Sequence, residues 1–394
     1  MRAGPSQDEI RRQNLGALLR YVHVHGATTR AELTSRLGLN RSTIGALTAD
    51  LANAGLVSEG TPKETGRAGR PSLVVRPESA RVYAYAYSIE VDRLRAARIG
   101  LGGELLDRRD LDRPPGLLVD EVVPLLAAAV TEMQQAVPAG SIRVGTGAAV
   151  CGMARRDDGL VRLSPHTGWS DESLAERLGG AELGAGGPVV TGSVADLSAL
   201  AEHVRGVAAG CDNVIYLYGD AGIGAGIIAG GRRITGHGGH GGEVGHMVVN
   251  PGGRPCSCGS RGCWETEVGE LALLRAAGRA GLSGQAAVLA VVDPAARGDA
   301  SAQAAVRQVG DWLGFGVANL VNIFNPELVV FGGTMRDLYL AAAAQVRSRL
   351  NSNALAACRE HVRLRTPALG DDGALLGAAE LAFERLLADP LDVA

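Results

Sequence analysis

Three cysteines fall within eight positions of the stretch "HMVVNPGGRPCSCGSRGCWETE", residues 246–267, behind a histidine that follows a glycine. His246, Cys256, Cys258 and Cys263 form the spacing H-x9-C-x-C-x4-C. Thiolate and imidazole are the donors zinc prefers, and four of them fill its tetrahedron. A filled tetrahedron leaves no position for an activated water, so the spacing predicts a structural zinc and not a catalytic one. Gly252, Gly253, Gly259 and Gly262 let such a loop close tightly. Unlinked buried thiols are the bland alternative, and a polar loop suits them poorly. Cys151, Cys211 and Cys358 are isolated in apolar surroundings and read as core. Glu243 lies three residues before His246, and Glu265 two after Cys263. A metal-fixed loop would aim both carboxylates from a rigid base, and carboxylates beside a histidine suit hydrogen bonds to sugar hydroxyls. Solvated loop charge is the plainer reading of the pair.

The rest of the chain must hold that loop in place. The 394 residues are 46% hydrophobic and 21% charged, an ordinary globular balance for several domains. The longest apolar stretch, "GLLVDEVVPLLAAAV", is cut by Asp120 and Glu121, so no membrane span is expected. The N-terminus is polar and lacks the apolar segment of a signal peptide. A cytoplasmic, reducing location follows, in which clustered cysteines point to metal and not to disulfides. From Tyr83 onward strands alternate with helices. "YAYAYSIEVDRLRAARIG" reads as a hairpin, "PVVTGSVADLSALAEHVRG" as strand then helix, "NVIYLYGDAGIGAGIIAGGRRI" as strand, glycine turn, strand, and "VGDWLGFGVANLVNIFNPELVVFGG" as helix into buried strand. This is an α/β pattern with ligand sites at strand ends.

Residues 1–75 differ from this body in pattern and charge. They carry ten Lys and Arg against six Asp and Glu, a balance of +4, whereas the remainder stands at −7. Leu15, Leu18, Leu19 and Val22 mark an amphipathic helix ending at Gly26. Thr29 with Glu32 is a capping-box signature for a short second helix, and Asn40 can cap a third with Ile44, Leu47 and Leu51 inward. Helix, short helix, tight turn, helix is the helix-turn-helix arrangement, whose second helix meets base edges in the major groove. Its first turn offers Arg41, Ser42 and Thr43. The following "LVSEG…GRAGRPSLVVRP" reads as a wing, with Arg67 and Arg70 placed to enter a minor groove. A small helical domain that binds protein instead is the competing reading.

The segments "GIGAGIIAGG", "GGEVGHMVVNPGG", "CSCGSRGCWE" and "FNPELVVFGG" resemble the ROK family over about residues 80–390, with all four zinc ligands matched. A winged helix-turn-helix ahead of this body is the arrangement of the family's transcriptional regulators. The resemblance implies an RNase H-like, two-lobed body of the actin/hexokinase type. Lobe 1 would span about 81–195 plus a C-terminal helix at about 375–390, and lobe 2 about 196–374, after a DNA-binding head at 1–75. It also implies self-association as a dimer or tetramer, an inverted-repeat operator in double-stranded DNA, and a sugar or sugar-derived effector held by Glu243, His246 and Glu265, with His166, where many relatives carry asparagine, as a changed pocket residue.

The family also contains sugar kinases, and this sequence departs from them at three places. Their D-x-G-G-T phosphate loop matches "SIEVDRLRA", which has no glycine. Their Asn-Asp pair, whose aspartate is the general base, falls on Ser193 and Val194. Their G-T-G-I-G loop reads "DAGIG", with Asp220 and Ala221 at the first two positions. Asp196 would point about 200° away from position 194 on a helix and so cannot replace the base. A repressor without kinase activity, and without catalytic residues, is the expectation. A kinase with a vestigial head, or a regulator that has lost sugar binding, are the alternatives.

Overall fold

A computed structural model describes residues 6–61, 72–114, 116–180 and 188–393. The head contains three helices: α1 (Gln7–His25), α2 (Arg30–Leu37) and α3 (Arg41–Asn53). Each begins on a side chain that accepts a backbone N–H. Ser6 takes that of Glu9, Thr29 that of Glu32, and Asn40 that of Thr43. The Glu32 side chain does not complete a capping box; it accepts the Tyr21 hydroxyl at 3.1 Å. Gly38 adopts a left-handed φ of 65°, which ends α2 and turns the chain into α3. Strands Val57–Gly60 and Val74–Pro77 pair antiparallel, and Thr28–Thr29 adds a third short strand beside the latter. Arg67 and Arg70 lie outside the described residues.

The body contains two five-stranded sheets of matching plan. In the first, Val82–Ile89, Ile142–Val150 and Val189–Ser193 run parallel, while Arg93–Gly100 and Leu105–Asp112 continue antiparallel from Val82–Ile89. In the second, Val214–Gly219, Leu328–Gly333 and Arg363–Arg365 run parallel, with Ile223–Ala229 antiparallel beside Val214–Gly219. The long helices Ala300–Phe324 and Thr334–Asn353 cover the second sheet and share its apolar core.

Two helices tie these layers together. Helix Val194–Arg205 leaves the last parallel strand of the first sheet and packs against both sheets. Helix Gly373–Ala388 returns from lobe 2 onto the first sheet. It fits there because a Cβ on Gly147 would meet the Ala378 carbonyl oxygen at 1.9 Å, and one on Gly377 the Leu197 carbonyl oxygen at 1.8 Å. Only glycine permits either approach.

The head is not tethered loosely. Leu15, Leu18, Leu19 and Val22 of α1 are buried in one continuous apolar cluster with Leu375, Phe383 and Leu386 of the C-terminal helix and with Val82 and Ile99 of the first sheet. Burial of each such side chain stabilises by about 1.5–3 kcal/mol. No helix among the described residues is long and apolar enough to cross a membrane.

Candidate effector cleft and metal centre

A cleft opens between the lobes. Val150, Cys151, Ser193 and Val194 at the strand ends of lobe 1 face Asp220, Gly222 and Ile223 at the hairpin mouth of lobe 2. Glu243, His246, Glu265 and His166 all line it. The turn carrying Glu243 and His246 sits directly on the hairpin. A Cβ on Gly242 would lie 2.0 Å from the Ala225 carbonyl oxygen, and one on Gly245 2.4 Å from that of Ile223. Glu265 projects from the first turn of helix Trp264–Val268, anchored by the buried Trp264, whose indole N–H donates to the Trp312 carbonyl at 2.9 Å. Above Gly222 the side chains converge, since a Cβ there would meet His166 Nε2 at 2.8 Å and Glu265 Oε2 at 3.2 Å. Burial lowers the His166 pKa and raises that of Glu243. Two acceptors and two imidazoles therefore line one small polar wall, opposite the apolar Val194.

The four expected metal ligands come together, with their donor atoms all within 4.8 Å of one another. His246 Nδ1 lies 3.6 Å from Cys256 Sγ, and Cys258 Sγ lies 3.6 Å from Cys263 Sγ. Zinc at ordinary bond lengths separates tetrahedral ligands by about 3.8 Å (S···S) and about 3.6 Å (N···S). The donor set and its spacing fit that ion. Coordination through Nδ1 would leave the His246 Nε2 free for a ligand in the cleft. Glu265 touches both sites, because its Oε1 lies 3.0 Å from Cys256 Sγ while its Oε2 faces Gly222. Of the cysteines read as core, Cys211 is buried, Cys358 is half-buried against the lobe 2 core, and Cys151 lines the cleft. Cys151 is thus a correction: it follows strand Ile142–Val150 by one residue, in a bend that opens onto the cleft.

The positions that differ from a kinase are also ordered. Ser193 caps helix Val194–Arg205, its Oγ accepting the Asp196 N–H at 3.1 Å, and Val194 is buried. Asp196 turns to the other side of the helix and accepts from Arg233 at 2.8 Å. In place of a phosphate loop, Glu90 is buried in a cage of Arg95, Arg93 at 2.8 Å, Ser88 at 2.6 Å and, from the opposite lobe, the Tyr218 hydroxyl at 3.0 Å. Nearby, burial with Glu90 and Asp92 pushes the Asp220 carboxyl up to about 7, and its Oδ2 has no hydrogen-bond partner among the described residues. Sequence reasoning missed Glu90 and Tyr218, which stand 128 positions apart. In the head, Arg41 and Ser42 are exposed and Thr43 is half-buried at the start of α3. The Ser42 hydroxyl donates to Asn40 Oδ1 at 2.7 Å.

A sequence model of the ROK family matches residues 86–385. A xylose repressor of Bacillus subtilis is 28% identical over 387 residues, 97% of each chain. A glucokinase of Halalkalibacterium halodurans is 30% identical over 256 residues, covering 61% of this chain and 77% of its own. Among solved structures, a ROK family transcriptional regulator described as a homologue of the E. coli MLC protein superposes with a TM-score of 0.78. It is 26% identical and covers 96% of this chain and 97% of its own.

Proposed function

The chain belongs to the ROK family, and from that premise we propose that it is a sugar-responsive transcriptional repressor that binds operator DNA through its head. The observation that carries this reading is the extent of the likeness. Repressor and regulator relatives align over nearly the whole chain, head included, whereas the glucokinase aligns over 61% of it. The chemistry agrees. A kinase needs a base at the sugar hydroxyl and an open phosphate loop. Here Val194 occupies the first position, and a buried Glu90 with its arginines fills the second.

A sugar in the cleft would take hydrogen bonds from His166 and His246 and donate to Glu243 and Glu265. Zinc, bound by His246, Cys256, Cys258 and Cys263, supplies no reaction; it stiffens the loop that aims His246 and Glu265. Helix Val194–Arg205 begins in the cleft and runs about 18 Å, at 1.5 Å per residue. At its far end Arg205 contacts the head: its guanidinium donates to the His23 carbonyl at 3.1 Å, and its Nε to Glu380 at 2.6 Å. A change in lobe closure therefore reaches α1 through one rigid element. Two chains paired through their bodies would set two α3 helices on an inverted repeat, with Arg41, Ser42 and Thr43 at base edges and phosphates; Arg67 and Arg70 are further candidates for DNA contact on sequence grounds. Effector binding would shift the spacing of the heads and so the DNA-bound population.

Two assays on the purified chain test this reading. A mobility shift on the DNA upstream of its own gene should show binding, and coupled ADP release with a panel of sugars should show no turnover. Turnover above background would overturn the repressor assignment.

A further inference from the structure

A second and larger cavity, about 1250 Å³, lies between the head, helix Val194–Arg205, the lobe 2 hairpin and the C-terminal helix. Six arginines line it against three carboxylates. All three carboxylates are engaged: Glu380 with His23 and Arg205, and Asp196 and Glu384 with Arg233. Arg20 of α1, Arg156 of lobe 1 and Arg232 of lobe 2 have no salt bridge among the described residues. Three guanidinium groups from three parts of the molecule thus line one space without an ion pair among the described residues, Arg156 acting on Asp196 only at longer range. Fork-shaped guanidinium donors at such a spot match a phosphate group.

The inner wall adds a second, independent feature. Thr191 and Asp196 line this cavity, and their Oγ1 and Oδ1 atoms are buried with no hydrogen-bond partner among the described residues. Leaving such a group unmet is costly, because its hydrogen bonds to water are lost without replacement. A hydroxyl donor and a carboxylate acceptor lining one cavity are what a polyol would satisfy.

We infer that this cavity is a second ligand site, for a phosphorylated polyol of the sugar-phosphate class, with its hydroxyls on Thr191 and Asp196 and its phosphate among Arg20, Arg156 and Arg232. It is separate from the effector cleft, because Val194 and Asp196 face opposite sides of the helix the two sites share. A ligand held by Arg20 and Arg232 would bridge head and lobe 2. Its effect on DNA affinity rests on the repressor reading, whereas its binding does not.

Isothermal titration of the full chain with glucose 6-phosphate, glucose and inorganic phosphate tests the site. Glucose 6-phosphate should bind the wild type. Binding should weaken on the order of tenfold or more in Arg156→Ala/Arg232→Ala, and severalfold in Thr191→Val. Arg156 and Arg232 are exposed, so the unliganded melting temperature should not move. Glu243→Ala should leave this binding intact. No binding of glucose 6-phosphate, binding that is lost in Glu243→Ala, or binding that survives loss of both arginines would each overturn the inference. Equal affinity for inorganic phosphate would overturn its polyol half. If binding follows the groove variants but DNA affinity never responds, the site stands and the repressor reading loses its link to it.

Discussion

Removal of the Glu380 carboxylate should loosen the head from the body. Glu380 is 5% exposed and His23 fully buried. The carboxylate accepts from Arg205 Nε at 2.6 Å and lies 2.9 Å from His23 Nε2. The Gly102 N–H donates to His23 Nδ1 at 2.9 Å, and His23 Nε2 lies between the Glu380 carboxylate and, at 2.6 Å, Arg205 Nη2. In Glu380→Ala the Arg205 Nε–H loses its acceptor and His23 its carboxylate neighbour inside the protein. Breaking a buried pair from one side costs about 3–5 kcal/mol. If the cost falls on the head–body contact, amide exchange through local opening in α1 should rise on the order of a hundredfold to a few thousandfold. Glu380→Gln, which keeps the volume and one acceptor, should cost less. Hydrogen exchange read by mass spectrometry over residues 7–25, with urea midpoints beside it, measures both. A change below about threefold in α1 exchange for Glu380→Ala would show that the cluster does not hold the head, and would remove the proposed route from cleft to DNA. The pH dependence has a definite sign. Burial pushes the Glu380 carboxyl up, but His23 and Arg205 outweigh it and hold it below the ordinary carboxylate value. Its contribution is therefore complete above about pH 4.3 and is lost as pH falls through the depressed folded value. The head should stay docked through pH 5–6 and release only in stronger acid.

Asp220→Asn should stabilise the chain at pH 8 more than at pH 5. A buried carboxyl raised to about 7 makes folding less favourable as pH rises from about 4 to 7, and thermal melts at the two pH values would show the difference. Arg41→Ala should weaken DNA binding by about 1–3 kcal/mol, roughly 5- to 150-fold, with an unchanged melting temperature because Arg41 is exposed. Mobility shifts and melts on one preparation separate the two effects. Plasma emission should find about one zinc per chain, and its removal by chelator, or Cys258→Ser, should lower the melting temperature and abolish the response to sugar.

Local signals carried the parts of this molecule that are local. Thr29, Gly38 and Asn40 sit where cap and turn chemistry puts them, and the strands and helices of the body follow their periodicity. The turn away of Asp196 from Val194 follows from helix geometry alone, and the structure places it on Arg233. The four metal donors are legible because they lie within eighteen positions on one loop. The contacts that join head to body are not. His23 sits beside Val22 in an ordinary amphipathic pattern, and its partners Arg205 and Glu380 lie 182 and 357 positions away. No spacing rule reaches across such distances. Cys151 misled for a related reason, since an apolar strand looks the same whether the residue that follows it enters a core or a cleft.

The most direct test is fluorescence anisotropy of the full chain on its upstream duplex, with pentoses and hexoses including xylose titrated in, for the wild type and for Glu243→Ala. One sugar should weaken DNA binding at least about fivefold in the wild type, a typical coupling for linked sites, while Glu243→Ala should bind the duplex equally well and ignore the sugar. A duplex that is not bound at all, or a sugar effect that persists undiminished in Glu243→Ala, would contradict a repressor governed from this cleft.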